Sequence, residues 1–180
     1  RLTNKSLILK DIKGDIFMEK FAINVKIKRL SETAQLPTKA HDSDAAFDLY
    51  ADIQETYIPF GKTFEESEKG IKVMPGQTVK VSSGVAMEIP EWYWGAVYAR
   101  SGLATKQGLR PANCVGVIDS HYRGPIIVAI HNDSNNVQII HHGDRIAQFM
   151  LAPVIETSFE EVSELSDSDR GEGGFGSSGK

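Results

Sequence analysis

The segment Asn113-Cys-Val-Gly-Val-Ile-Asp-Ser-His-Tyr-Arg-Gly124 holds a single carboxylate, Asp119, between an apolar run and a turn. An acid at a hairpin tip, partly desolvated by the apolar run, is suited to act as a general base. Asp followed by Ser is also ordinary turn chemistry. Taken alone, the segment favours a turn aspartate over a base, so the interpretation depends on what other segments offer this carboxylate.

The segment Ala99-Arg-Ser-Gly-Leu-Ala-Thr-Lys106 combines a positive charge with the start of a short helix. Ser101 is a suitable N-cap, and a helix start offers free N–H groups and a positive dipole end to an anion. Arg100 adds charge, and Gly102 allows close approach of a ligand to the backbone. A simple cap beside a surface arginine explains the same residues, and both interpretations stay open here.

The segment Gly143-Asp-Arg-Ile-Ala-Gln148 is a turn followed by a strand, which places Gln148 on a fixed scaffold. Its amide could donate to a phosphate or hold a water molecule. For Asp144 and Arg145 we expect a structural ion pair. The preceding pair His141-His142 points to opposite faces of an extended chain and has no third ligand nearby, so no metal site is expected.

The tail Arg170-Gly-Glu-Gly-Gly-Phe-Gly-Ser-Ser-Gly-Lys180 contains the G-x-x-x-x-G-K spacing of a phosphate loop. Such a loop also needs a preceding strand and a following helix, which this context does not provide. We expect instead a flexible arm that closes over a ligand with a charge, a stacking ring and groups that bind oxygens. These groups are Arg170, Phe175, Gly176, Ser177 and Ser178. A disordered Gly/Ser tail is the alternative.

Short segments of alternating apolar residues recur along the chain and predict strands. They cover residues 23–28, 45–51, 78–82, 85–89, 92–98, 125–130, 137–140 and 146–154. The one helical turn is predicted to begin at Ser101, and an exposed loop runs from Tyr57 to Gly70. Many short strands at regular spacing predict an all-β sandwich, barrel or jelly roll.

Composition excludes several classes of protein. The 180 residues are 41% hydrophobic, enough for the core of one domain, and the net charge of −4 leaves no global basic footprint for duplex nucleic acid. The single cysteine, Cys114, excludes a disulfide framework, and we expect it to be a small buried hydrophobe. We expect no membrane partner and no signal peptide, and therefore a reducing, cytoplasmic location.

Three segments are expected along the chain. They are an N-terminal extension over 1–22, a β domain over 23–165 and a mobile arm over 166–180. Residues 13–18 can be encoded so that a purine-rich ribosome-binding sequence precedes an ATG codon for Met18. Met18 is therefore a candidate start, with a translated leader or an added segment before it. A genuine extension that packs as a strand is the alternative.

Five segments, in this order, resemble the five motifs of the trimeric dUTPases (deoxyuridine triphosphate nucleotidohydrolases). They are Ala45-Ala-Phe-Asp-Leu-Tyr-Ala51, Arg100-Ser-Gly-Leu-Ala104, Asn113 to Gly124, Gly143-Asp-Arg-Ile-Ala-Gln148 and Arg170-Gly-Glu-Gly-Gly-Phe-Gly-Ser-Ser-Gly179. The resemblance implies a jelly-roll-like distorted barrel with one short helix, in a homotrimer whose active sites are shared between subunits. It also implies hydrolysis of dUTP to dUMP and pyrophosphate, which keeps uracil out of DNA and supplies dUMP for thymidylate synthesis.

The resemblance implies a role for each matched residue. Asp119 would be the general base for a water that attacks the α-phosphorus, and Tyr122 would pack on the deoxyribose and reject a 2′-hydroxyl. The uracil would meet Asn113, Gly116, Val117, Ile118 and, on the next strand, Ile127, with Phe175 stacked on it. The phosphates would meet Arg100, Ser101, Gly102, Gln148, Arg170, Gly176, Ser177 and Ser178. Asp48 would support the site, and Mg²⁺ would be held by the triphosphate and waters without a direct protein ligand.

Two other functions compete with this interpretation. The dCTP deaminases resemble the dUTPases but use a catalytic Glu on the strand after the turn, where this chain has Ala129, so deamination is not expected. A non-catalytic nucleotide-binding or partner-regulating protein on the same scaffold is the second alternative. The presence of Asp119, Tyr122 and a closing arm argues against a loss of catalysis.

Overall fold

The structure is a computed structural model that describes residues 22–53 and 70–174. Eleven strands and one helix form within these ranges. They are β1 (Lys26–Arg29), β2 (Phe47–Tyr50), β3 (Gly70–Val73), β4 (Thr78–Ser82), β5 (Val85–Glu88), β6 (Tyr93–Tyr98), α1 (Ser101–Gln107), β7 (Leu109–Pro111), β8 (Val115–Ile118), β9 (Ile127–Asn132), β10 (Gln138–His141) and β11 (Arg145–Pro153). Among these residues no helix has the length and apolarity needed to span a membrane.

The strands form four small antiparallel sheets. The orders are β1-β5, β10-β3, β4-β9-β7 and β2-β11-β6-β8, and a single cluster of buried apolar residues lies between them. Alternation along β4 shows how the sequence selects the core face, because Val79 and Val81 are buried while Thr78 and Lys80 are exposed. The predicted all-β, jelly-roll-like barrel with one short helix is confirmed.

The expected half-buried strand over 23–28 was partly wrong. β1 begins only at Lys26, and all four of its residues are exposed. Among the described strands β1 pairs only with β5, so it lies at a sheet edge where neither face is well covered. The strand's contribution to the core comes from Val25, just before it.

The strands β3 and β7 were not predicted, and β8 was anticipated only as an apolar run before Asp119. β3 is held in place by Asn132, a fully buried polar residue at the end of β9. The Asn132 side-chain amide donates to the Val73 carbonyl at 2.8 Å and to the Asn136 carbonyl at 2.8 Å. Its oxygen accepts hydrogen bonds from the backbone and hydroxyl of Ser134. A buried amide satisfied on both sides links β9, β3 and the turn before β10.

Several predicted segments lie outside the described residues. These are residues 1–21 of the predicted extension, the predicted loop from Tyr57 up to residue 69, and residues 175–180 of the arm, which include Phe175, Gly176, Ser177 and Ser178. Within the described chain, residues 154–174 follow β11 without forming a further helix or strand.

Candidate active site

A cavity of about 780 Å³ opens where β6 ends and α1 begins. Its lining brings together residues from four segments that the sequence singled out separately. The lining residues are Ala40, Asp44, Ala45, Ala46, Asp48, Tyr98, Ala99, Arg100, Ser101, Gly102, Cys114, Arg145, Gln148 and Met150. The predicted site residues Asp48, Arg100, Ser101, Gly102 and Gln148 therefore share one cavity.

The central strand β11 positions one side of this cavity. Gln148 is opposite Asp48 on β2 and opposite Tyr98 on β6. Residues that are directly opposite in neighbouring strands point to the same face of a sheet, so these three side chains form one row. The Gln148 amide donates to the Ala99 carbonyl at 2.8 Å, which fixes the side chain and leaves its oxygen and second N–H for a ligand.

The start of α1 forms the floor of the cavity. The helix begins at Ser101 after Arg100 as the N-cap, and in the described chain no side chain caps it and no acidic residue occupies its first turn. The expectation that Ser101 caps the helix was therefore wrong by one position. Because Ser101 is the first helical residue, its backbone N–H and that of Gly102 lack partners within the helix and can bind an anion.

Asp48 connects two arginines at the cavity wall. Its Oδ1 accepts a hydrogen bond from Arg100 Nε at 2.7 Å, and its Oδ2 accepts one from Arg145 Nη1 at 3.3 Å. The expected ion pair between Asp144 and Arg145 was wrong. Asp144 accepts instead from the backbone N–H of His141 at 2.7 Å, as an aspartate does when it closes its own turn.

Sequence reasoning missed Arg145 as a residue of this site, and a bulge explains why. Arg145 and Gln148 are three residues apart, so in a regular strand they would point to opposite faces. The register of β11 against β2 shifts between Arg145 and Ala147, which leaves Ile146 unpaired and returns Arg145 to the Asp48 face. The adjacent buried pair Ile146-Ala147 breaks the alternation of the strand, and that break was the available signal.

The second candidate region is the loop of residues 119–126 that follows β8. The expected hairpin was wrong, because β8 pairs with β6 whereas β9 pairs with β4 and β7. The tip of this loop holds Asp119 and Tyr122, whose backbone N–H donates to the Asp119 carbonyl at 3.1 Å. The Tyr122 hydroxyl donates to the Pro125 carbonyl at 2.9 Å, which leaves the ring face as the surface available to a ligand. Arg123 Nη1 donates to the carbonyls of Ser120 and Tyr122 at 2.5 and 3.0 Å, and these bonds close the tip.

Asp119 and the cavity lie at opposite ends of β8. Val115 is opposite Tyr98 at the cavity end of β6, and Ile118 is opposite Gly95 near its start. At a rise of about 3.3 Å per residue, Asp119 is about 13 Å along β8 from Val115. Asp119 is exposed at the tip, so the expectation of a partly desolvated acid was wrong for a single chain.

The predicted uracil-binding residues occupy β8 and the segments beside it. Asn113 precedes the strand at its cavity end, Gly116 packs against Val97 of β6, and the Val117 side chain is 61% exposed. Ile118 ends β8 next to Asp119, and Ile127 is the first residue of β9. They therefore extend from the cavity to the tip.

Two further expectations concern residues beside these regions. Cys114 is exposed and lines the cavity with a φ of 61°, so the prediction of a buried hydrophobe was wrong. The turn before β8 places it outside the core. Arg170 is exposed in the segment after β11, and its Nε donates to the Gly173 carbonyl at 2.7 Å. In residues 22–53 and 70–174 no group of three or more His, Cys, Asp or Glu side chains is arranged to hold a metal ion.

The fold is an all-β barrel, and its cavity, lined by two arginines and a helix start, lies at a strand-to-helix turn. A family model described as dUTPase matches residues 66–179. The chain is 39% identical over 157 residues to the deoxyuridine 5′-triphosphate nucleotidohydrolase of Clostridioides difficile, covering 87% of this chain and 98% of that protein. It is 40% identical over 157 residues to the corresponding protein of Clostridium tetani, covering 87% and 97%.

Solved structures show the same similarity. The dUTPase of Staphylococcus bacteriophage 80alpha with dUpNHpp matches with a TM-score of 0.69 and 26% identity, over 88% of this chain and 100% of that chain. The chain belongs to the dUTPase family and hydrolyses dUTP to dUMP and pyrophosphate. The resemblance found in the five sequence motifs is therefore confirmed.

Proposed function

We propose that the cavity holds the triphosphate of dUTP and that Asp119 of a neighbouring subunit supplies the general base. The observation that supports this most is the separation of about 13 Å along β8 between the cavity end and Asp119. A general base acts through a direct hydrogen bond or one bridging water. Within one chain Asp119 is too far from a phosphate in the cavity, so a second copy has to complete the site.

In this mechanism Asp119 accepts a proton from a water as that water attacks the α-phosphorus in line. The bond from the α-phosphorus to the oxygen that bridges it to the β-phosphorus breaks, and pyrophosphate leaves. Arg100, the Ser101 and Gly102 backbone and Gln148 hold the α- and β-phosphates, with Gln148 also positioning the water. Hydrolysis of this kind depends mainly on positioning and charge neutralisation.

In this proposal the nucleoside lies along β8 and the loop that follows it. The Tyr122 ring packs on the deoxyribose, where a 2′-hydroxyl would collide with it, and the hydroxyl bond to Pro125 holds the ring still. The uracil edge meets Asn113 and the backbone of Gly116, Val117 and Ile118, with a further backbone contact at Ile127. The edge position of β8, which among the described strands pairs only with β6, supports this arrangement, because ligands are commonly oriented by backbone polar groups.

A homotrimer with a closing arm completes the proposal. Residues 166–180 form the arm over the β domain of residues 23–165, and Arg170, Phe175, Gly176, Ser177 and Ser178 contact the γ-phosphate and the uracil. The exposed position of Arg170 supports an arm that is available to a ligand. A mobile arm that excludes water is a common way to complete an active site.

Magnesium fits the cavity as a partner of the triphosphate. The dUTPase of phage phi11, 22% identical to this chain, coordinates a structural Mg(II) ion. Both Asp48 oxygens accept hydrogen bonds from arginines, so this carboxylate is not free to be a direct ligand. Phosphate oxygens and waters would hold the Mg²⁺ instead. When bound, the ion would neutralise part of the triphosphate charge.

Deamination of dCTP is the nearest alternative, and it requires a catalytic Glu at the position of Ala129. Ala129 lies on β9, and the strand Ile127–Asn132 contains no carboxylate. Ammonia release from dCTP would contradict the assignment of the site to dUTP hydrolysis.

Mixed trimers test whether the site is shared. We would co-express Asp119→Asn, which lacks the base, with Arg100→Gln, which lacks the phosphate contact, under two affinity tags. If each site draws its cavity from one subunit and the loop after β8 from another, every trimer that carries both tags has one intact site in three, so about a third of the wild-type activity is expected. The measurement is pyrophosphate release from dUTP by doubly tagged protein.

The matched control combines two cavity variants, Arg100→Gln and Gln148→Ala, and both keep Asp119 and the loop after β8 intact. Here every cavity is defective, so no recovery is expected. Recovery in the control, or its absence in the first mixture, would contradict a site that is shared between subunits.

A further inference from the structure

Asp48 is shared between two arginines with unequal exposure. Its carboxylate is 16% exposed, the Arg100 side chain is 25% exposed, and the Arg145 side chain is 49% exposed. Arg145 contacts Asp48 through Nη1 alone. Since a carboxylate with two oxygens can accept from both groups at once, Arg145 does not compete with Arg100 for the same oxygen.

The cavity lining contains four charged side chains, and their charges cancel. Arg100 and Arg145 are positive, and Asp44 and Asp48 are negative. Asp44 is directed to its own turn, where its Oδ2 accepts the His41 N–H at 2.9 Å and lies 3.6 Å from His41 Nδ1. Without the Arg145 charge the lining would carry a net negative charge, which opposes the binding of a polyphosphate.

We propose that Arg145 is a positioning residue that neutralises Asp48, so that the charge of Arg100 remains available to the substrate phosphates. The inference rests on the proposed role of Arg100 in binding dUTP. The β-bulge at Ile146 exists at the position that brings Arg145 onto the Asp48 face, and bulges near active sites commonly re-aim a side chain in this way. Without Arg145, Asp48 and Arg100 would form a pair with no net charge. With Arg145, the three groups together carry one positive charge.

The test compares variants at Arg145 by their dUTP kinetics. Arg145→Gln is expected to raise KM for dUTP roughly 10-fold with kcat changed less than about 3-fold, because the lost interaction acts on binding and not on the chemical step. Arg145→Lys keeps the charge and is expected to keep most of the affinity. The double variant Asp48→Asn/Arg145→Gln restores the charge balance and should recover most of the lost affinity.

The double variant separates a charge role from a packing role. If Arg145 balances charge, KM follows the net charge of the lining and does not follow the thermal stability of each variant. A wild-type KM in Arg145→Gln would overturn the inference, and so would a loss of affinity that persists in the double variant. If Arg145→Gln does not fold, Asp48→Asn tests the same charge effect, because it adds one positive charge to the lining and should lower KM. An unchanged or raised KM in Asp48→Asn would then overturn the inference.

Arg100→Gln distinguishes this inference from the proposed function on which it rests. A raised KM in Arg100→Gln together with an unchanged KM in Arg145→Gln would overturn the role of Arg145 alone. An unchanged KM in Arg100→Gln would contradict the phosphate contact itself, and with it the basis for a charge role of Arg145.

Discussion

At the cavity end of the β6 and β8 pair, one chain assembles cations, a helix start and a fixed amide around an open space. At the other end, about four residues along β8, the same chain presents a carboxylate and an aromatic ring on an exposed tip. At the cavity end the two lining carboxylates, Asp44 and Asp48, are committed to hydrogen bonds. At the tip the guanidinium of Arg123 is committed to the carbonyls of Ser120 and Tyr122, whereas Asp119 is exposed.

The two aspartates of these regions show why the separation is useful. Both oxygens of Asp48 accept hydrogen bonds from guanidinium groups, so this carboxylate holds the two arginines in place. In the described chain no ion pair involves Asp119. A carboxylate on the same wall as Arg100 would pair with it, whereas Asp119, beyond the other end of β8, stays available for the role of base that we propose.

The largest predicted effect is at the tip. Asp119→Asn should reduce turnover of dUTP by about 10²–10⁴-fold or more, because the attacking water loses its proton acceptor. Binding of dUTP should persist, since the cavity is unchanged. Single-turnover kinetics and calorimetric titration with a non-hydrolysable dUTP analogue measure the two effects separately.

Asp133→Asn is the matched control for this prediction. It removes an exposed carboxylate whose contacts are with Arg110 and His131 on the surface, and turnover should stay close to that of the wild type. Wild-type turnover in Asp119→Asn would remove Asp119 from its role.

The next prediction concerns sugar selectivity at the tip. Gly124 has no room for a side chain, because a Cβ there would lie 2.5 Å from the Tyr122 hydroxyl oxygen and 2.7 Å from its ring carbon. Gly124→Ala should therefore displace the Tyr122 ring and lower the selectivity for dUTP over UTP by roughly 10-fold. The ratio of kcat/KM for the two nucleotides is the measurement.

Tyr122→Phe serves as the comparison for Gly124→Ala. It removes the hydroxyl bond to Pro125 without adding an atom behind the ring, so its effect on selectivity should be smaller. Equal selectivity in wild type and Gly124→Ala would show that the ring position does not decide which sugar is accepted.

The cavity end was more predictable from sequence than the distance between the two regions. Arg100, Ser101 and Gly102 are consecutive, so a local rule about helix starts was enough to place them together. Gln148 was predicted as a residue of the scaffold because a turn and a strand follow one another directly. These inferences need only short-range geometry.

The errors arose where the geometry is long-range or irregular. Arg145 was expected to form an ion pair with its sequence neighbour Asp144, whereas the bulge in β11 places it on the Asp48 face. Cys114 was expected to be buried because it begins an apolar run, yet the turn at its positive φ places it outside the core. The exposure of Asp119 follows from β8 pairing with β6, which composition and periodicity do not determine.

The smallest predicted effect compares backbone strain at the two ends. Among the described residues, Trp92 and Cys114 are the non-glycine residues with positive φ, at 70° and 61°. Trp92 precedes the start of β6 near the tip, and Cys114 lines the cavity. A left-handed conformation costs an ordinary residue about 1–2 kcal/mol of folding free energy, a cost that glycine avoids. Because a glycine makes the unfolded chain more flexible, about 0.5–1 kcal/mol of this gain is lost again.

Trp92→Gly and Cys114→Gly should therefore each stabilise the fold by about 0.5–1 kcal/mol, or a few degrees in Tm. The two variants should differ in function. Trp92 is not among the residues that line the cavity, so Trp92→Gly should leave KM for dUTP unchanged, whereas Cys114→Gly alters the cavity wall and should change KM slightly. A change of KM in Trp92→Gly as large as that in Cys114→Gly would mean that strain at the tip end is transmitted along β6 to the cavity. The cavity and the tip would then be energetically coupled within one chain.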